Sequence, residues 1–112
     1  MELTKHVTQE DMTLYSGPGN IHSDIEVAKR TGLDAPIAQG MQTLAFASEL
    51  LTRICGADWL QGGEISVKFI KPVLAEDDVT ITVLEAQEGY DLEARNQHGD
   101  TLMVGTARLR PA

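Results

Sequence analysis

Met41-Gln42-Thr43-Leu44-Ala45-Phe46-Ala47-Ser48-Glu49-Leu50-Leu51-Thr52-Arg53-Ile54-Cys55 is the longest helical pattern in the chain. Its apolar residues (Met41, Leu44, Ala45, Phe46, Ala47, Leu50, Leu51, Ile54) cover most of the circumference. Gln42, Glu49 and Arg53 leave only a narrow polar stripe, with Glu49 and Arg53 at i,i+4 spacing. A helix that is apolar nearly all round needs neighbours on several sides. In a chain of 112 residues, the size of one domain (1–112), that neighbour is expected to be a sheet wrapped around it.

Working downstream, the sheet is supplied. Ile65–Phe69, Val79–Val83 and Leu102–Thr106 alternate or run β-branched, as half-buried strands do. Tyr90–Arg95 reads as a further strand, and Asn96-Gln97-His98-Gly99-Asp100 as a hairpin turn. Pro72 follows the first of these strands, where it interrupts no interior ladder. Short turns predict a largely antiparallel meander. The fold class is therefore α+β, one central helix followed by strands that curl around it.

Upstream, the first half reads as helices and loops. Thr8 and Asp11 predict an N-cap for a helix over about residues 9–15, ended by Gly17-Pro18-Gly19. Ser23 and Glu26 have capping-box spacing for a helix from about Asp24 to Thr31, closed by Gly32. In that helix Val27 and Ala28 should face the core, and Lys29 and Arg30 water. Pro36 makes residues 33–40 a loop leading into the central helix.

Composition excludes several functions. A hydrophobic share of 42% and a charged share of 23% are those of a globular protein, not a disordered one. The net charge of −8 argues against DNA or RNA as partner, because phosphate binding needs a basic face. No apolar run approaches the roughly 20 residues that span a bilayer. Met1 to His6 carry no apolar signal-peptide core. The lone Cys55 has no internal disulfide partner. A cytoplasmic, membrane-free location is the expectation. No Cys/His cluster has metal-ligand spacing, and no phosphate-cradling glycine motif joins strand to helix, so no metal or other cofactor is expected.

Three stretches then carry a family resemblance. Tyr15-Ser16-Gly17-Pro18-Gly19-Asn20-Ile21-His22-Ser23-Asp24 resembles the Ser-Gly-Asp-x-Asn-Pro-Ile-His segment of the MaoC-like hydratases. Pro36-Ile37-Ala38-Gln39-Gly40-Met41 is similar to their Pro-Ile-Ala-His-Gly-Met at the head of the central helix. Val67-Lys68-Phe69-Ile70-Lys71-Pro72-Val73, with Asp78, Asn96, Gly99 and Gly105-Thr106-Ala107, follows the spacing of their strands. The resemblance implies a hot-dog fold and a homodimer, or a higher oligomer of dimers, with a continuous sheet. It also implies an acyl-CoA or acyl-carrier thioester in a tunnel at the subunit interface. The reaction implied is reversible water addition across a 2-enoyl thioester, as in fatty acid metabolism. One departure matters. The hydratases pair the His with an Asp five residues earlier, where this chain has Gly17, or Pro18 if one residue has been lost. Gln39 likewise replaces their histidine.

Hydration of an enoyl thioester needs a base for water and donors for the charge that develops on the thioester oxygen. Gly40 suits the second task, its N–H and that of Met41 lying at the positive end of a helix; alternatively it merely permits a tight turn. His22 is the candidate general acid/base of the matching region, against a purely structural role. Asn20 would hold the water or the ring of His22, or else cap the loop. Tyr15, Gln39, Met41 and Ser48 are expected along the tunnel, Ser48 lying about 80° round the helix from Gly40. Lys68, Lys71 and Arg108 are candidates for coenzyme A phosphates, against a plain solvated role. Asp24 reads as a helix-start acid, and His6 and His98 have no evident partners.

Two other functions compete. A hot-dog thioesterase would need Glu49, which lies about 180° from Gly40 and is better explained by Arg53. A non-catalytic acyl-CoA binder, or one half of a heteromeric hydratase with a second hot-dog chain, is motivated by the missing Asp.

Overall fold

The computed structural model describes residues 1–110. Strand β1 (Glu2–Val7) opens the chain. Helices α1 (Gln9–Ser16), α2 (Ile25–Arg30), α3 (Gly40–Cys55) and α4 (Ala57–Gly62) follow. Strands β2 (Gly63–Phe69), β3 (Asp77–Ala86), β4 (Gly89–Arg95) and β5 (Thr101–Leu109) complete the order. They form one antiparallel sheet in the order β1-β3-β4-β5-β2.

The meander expected from the short turns holds for β3, β4 and β5 only. Strand β2 crosses to the far edge beside β5 instead of pairing with β3. The connection that follows it is used elsewhere: Ala38 N–H donates to the Val73 carbonyl (2.8 Å), and Ile37 bridges Leu74. That contact ties the loop before α3 to the sheet.

Alternation along the strands decides what faces the helix. Val79, Ile81 and Val83 of β3, Leu92 and Ala94 of β4, and Met103 and Ala107 of β5 are buried. The register sets them in rows, among them Leu3–Ile81–Ala94–Met103–Phe69. Helix α3 lays Thr43, Ala47, Leu50 and Leu51 against this face. Their i, i+4, i+7, i+8 spacing is one side of a helix. Burying each leucine is worth about 1.5–3 kcal/mol, so Leu50 and Leu51 fix the helix on the sheet. The enclosure is one-sided within a single chain. Met41 is 57% exposed and Ala45 open, so the all-round apolar pattern exceeds what this sheet covers.

Local chemistry follows the sequence with two exceptions. Thr8 Oγ1 accepts from Asp11 N–H, and the Asp11 carboxylate accepts from Thr8 N–H, closing a capping box on α1. In α2 the cap is Asp24, whose Oδ1 accepts from the N–H groups of Glu26 (2.9 Å) and Val27 (3.4 Å), not Ser23. Ser23 turns back instead, its hydroxyl oxygen accepting from Asn20 N–H at 3.3 Å. The second exception is that β1 and α4 had no counterpart in the sequence reading. The 96–100 turn forms as expected, with Asn96 Oδ1 accepting from the N–H groups of His98 and Asp100.

Candidate active site at the head of the central helix

The loop between α1 and α2 is organised by Asn20. Its Nδ2 donates to the carbonyls of Ser16 (2.9 Å) and Gly17 (3.2 Å), and its Oδ1 accepts from His22 N–H (2.9 Å). Both ends of the amide are thus engaged in holding the turn that presents His22. Gly17 leaves α1 with φ +78°, a conformation that favours glycine over a side-chain-bearing residue such as Asp.

His22 is held from two sides. Gln9 Nε2 donates to its carbonyl (3.0 Å), and its Nδ1 lies 2.7 Å from the Ile37 carbonyl oxygen. A carbonyl can only accept, so Nδ1 carries the hydrogen. In the neutral tautomer that this contact selects, the lone pair lies on Nε2. Ile37 N–H in turn donates to the Ile21 carbonyl (3.1 Å), stitching the two loops together. Among the described residues no carboxylate pairs with His22; the histidine that does form such pairs is His6.

Gly40 is the first residue of α3, and its N–H and that of Met41 precede the first intrahelical bond. The space beside its Cα is taken by Phe69. A Cβ built on Gly40 would stand 2.8 Å from the tip of that ring. Glycine here lets the aromatic ring lie directly against the helix start. A cleft of about 350 Å³ opens at this point, lined by Ile37, Gly40, Thr43, Phe69, Lys71 and Val73 among others. The same Ile37 carries the carbonyl that fixes His22.

The remaining candidates are distributed differently. Tyr15, Met41 and Ser48 line a second groove, of about 480 Å³, along the open side of α3 with Leu44, Thr52 and Ile65. Ser48 Oγ also accepts from the Trp59 indole N–H at 2.9 Å, which fastens α4 to α3. Gln39 occupies the N-cap position of α3 without a side-chain capping bond. Lys68 is exposed. Lys71 Nζ donates to Asp100 Oδ2 at 2.8 Å, and that ammonium holds Asp100 below the usual carboxylate range. Arg108 is paired with Glu64 at 2.9 Å. Glu49 is engaged at both oxygens, with Arg53 (2.8 Å) and Lys5 (3.0 Å).

His6 does have partners, contrary to the sequence reading. Its Nδ1 meets Asp78 Oδ1 at 2.7 Å and its Nε2 meets Glu76 Oε2 at 2.8 Å. The Asp78 and Glu76 carboxylates raise its pKa above 6.5. Cys55 is half-buried, with Sγ 3.6 Å from the Tyr90 hydroxyl. No group of His, Cys, Asp and Glu among the described residues is placed to hold a metal ion. No helix among them is long and apolar enough to cross a membrane.

One long helix held in a five-stranded antiparallel sheet, with a cleft at the helix head, defines the hot-dog fold. Residues 1–104 match the MaoC-like domain family, and the chain belongs to that family. The family is named for dehydratase chemistry, so membership supports a hydro-lyase kind of reaction. Among solved structures, the chain is similar to the (R)-hydratase from A. caviae involved in PHA biosynthesis, at 23% identity and a TM-score of 0.74. That match covers 98% of this chain and 93% of the other. R-hydratase PhaJ1 from Pseudomonas aeruginosa is 26% identical with a TM-score of 0.74, over 96% of this chain and 76% of that one. HtdX from Mycobacterium tuberculosis is 26% identical with a TM-score of 0.79; 96% of this chain spans only 47% of that protein. No curated protein sequence matches the chain.

Proposed function

We propose that the protein adds water to, or removes it from, an acyl thioester, interconverting 2-enoyl and 3-hydroxyacyl forms carried on coenzyme A or a carrier protein. The observation that carries this reading is the His22 ring, pinned through Nδ1 to Ile37, with Nε2 unpartnered among the described residues. In the hydration direction Nε2 takes a proton from water as its oxygen attacks C3. The resulting imidazolium then returns a proton to C2, so one ring serves as base and acid. Negative charge passing through the thioester oxygen is held by the N–H groups of Gly40 and Met41, at the positive end of α3. Asn20 acts by positioning the His22 loop. Tyr15, Gln39, Met41 and Ser48 border the acyl path, and Lys68 and Lys71 meet the carrier phosphates, Lys71 by leaving Asp100.

The path is closed by a second copy of the chain. The groove beside Met41 and Ser48 is open in one protomer, and β2 is an edge strand next to it. A homodimer that extends the sheet would cover both.

The test is His22→Ala, followed by the absorbance of a 2-enoyl-CoA. Turnover should fall at least about 100-fold with the circular dichroism unchanged; full turnover rejects the role of His22.

A second reading is favoured because no carboxylate among the described residues pairs with His22: a binding subunit that works with another hot-dog chain. Full activity of the purified protein alone excludes it. Co-purification with a chain that carries an intact Asp–His pair supports it. Thioesterase chemistry through Glu49 is disfavoured by the two cations on its carboxylate; Glu49→Gln, assayed for thiol release, decides that case.

A further inference from the structure

The open side of α3 carries one stripe of residues: Met41, Leu44, Ala45, Ser48, Glu49 and Thr52, at i, i+3, i+4, i+7, i+8 and i+11 spacing. They floor the groove of about 480 Å³ that Ile65 of the edge strand β2 borders. The groove starts where the head cleft ends, since Gly40 lines the one and Met41 the other.

Half of this stripe is polar by composition, yet its polar groups are engaged within the protein. Thr52 Oγ1 donates to the Ser48 carbonyl (2.8 Å), which leaves the methyl group as its free end. Ser48 Oγ accepts from the Trp59 indole N–H (2.9 Å). Both carboxylate oxygens of Glu49 are held by cations, Lys5 at 3.0 Å and Arg53 at 2.8 Å. What the stripe offers a ligand is therefore hydrocarbon. Glu49 is the one charged residue among the described residues that line the groove.

The helix sets the length. Met41 and Thr52 stand eleven residues apart in α3, which makes about 16 Å at about 1.5 Å per residue. An extended covalent chain advances about 1.2 Å per bond, as three backbone bonds span about 3.6 Å. A chain of about a dozen carbons thus fills the groove from end to end.

We infer that the acyl group taken here is an uncharged hydrocarbon chain of about twelve carbons, laid along α3 from Met41 to Thr52. The inference rests on the hydratase reading for the place of the thioester, at Gly40, and adds to it the class of acyl group.

The probes are butanoyl-CoA and dodecanoyl-CoA, saturated and so inert to hydration, titrated by calorimetry into the full-length protein. Each buried methylene strengthens binding about fourfold. With only half of its eight extra methylenes covered, dodecanoyl-CoA should bind at least about 100-fold tighter. Thr52→Trp, whose indole leans back over the preceding turn, should cut that advantage at least about tenfold, with the circular dichroism unchanged. A dodecanoyl-CoA that carries an ω-carboxylate should lose as much without any substitution, because Glu49 repels it. Equal affinity for butanoyl- and dodecanoyl-CoA overturns the inference, as it would if a second copy filled the groove. Turnover of a 2-enoyl-CoA would then still stand for the hydratase reading. A length preference without turnover of any 2-enoyl-CoA sinks the hydration chemistry and keeps the acyl group. Binding of neither probe overturns both.

Discussion

At the residue scale, what was legible is where Gly40 and His22 lie: a glycine heads an apolar helix, and a histidine stands in the loop before α2. What the neighbouring residues do was not legible, because their partners are remote. Ser48 meets Trp59 eleven residues on, Lys71 meets Asp100 twenty-nine on, and His6 meets Asp78 seventy-two on. No local pattern encodes such pairs. The fit of Phe69 on Gly40 likewise joins a strand end to a helix start. It yields a prediction. Gly40→Ala puts a methyl group where the tip of Phe69 lies, but that ring is 50% exposed and free to swing. The cost in stability should be about 1 kcal/mol, the low end for overpacking. Turnover should fall much further, because the displaced ring intrudes on the cleft. Denaturant titration and steady-state kinetics separate the two. Phe69→Leu should recover stability in the Gly40→Ala background, as a double-mutant cycle would record.

At the element scale, α3, the β3–β5 hairpins and the α1 capping box follow from periodicity and turn chemistry that act over a few residues. Strand β1 does not announce itself. Only Leu3 and Val7 are apolar in Glu2–Val7, and it becomes a strand because β3 offers it a register, Leu3 against Ile81 and His6 against Asp78. Helix α4 is one short turn and a half, defined by Trp59 reaching the core. The edge position of β1 gives its His6 contacts a measurable consequence. Both ring nitrogens face carboxylates, so the paired state is the imidazolium, which Asp78 and Glu76 favour. Because the folded-state pKa is raised above 6.5, this stabilisation is whole below 6.5 and fades as pH rises through the raised value. The Tm gap between the native protein and His6→Gln should therefore be wider at about pH 6 than at about pH 8.5. A gap that widens with pH would contradict the assignment.

For the whole molecule, the apolar pattern of α3 runs further round the helix than the sheet covers: Thr43, Ala47, Leu50 and Leu51 are buried, while Met41 and Ala45 are not. The open stripe at Met41 and Ala45 is where a second copy would sit. Ala45→Glu should turn a dimer into a monomer in analytical ultracentrifugation, with helix content kept, because glutamate is a good helix former. A mass unchanged by this substitution would place the contact elsewhere. The sheet order has a further consequence for folding. Strand β2 has a single neighbour in the sheet, and that neighbour is β5, with Gly63 opposite Leu109. Until β5 is available, β2 has nothing to zip onto, and Ile65 and Val67 stay wet. Pulse-labelled hydrogen exchange during refolding should therefore show the amides of these two ribbons becoming protected in the same kinetic phase.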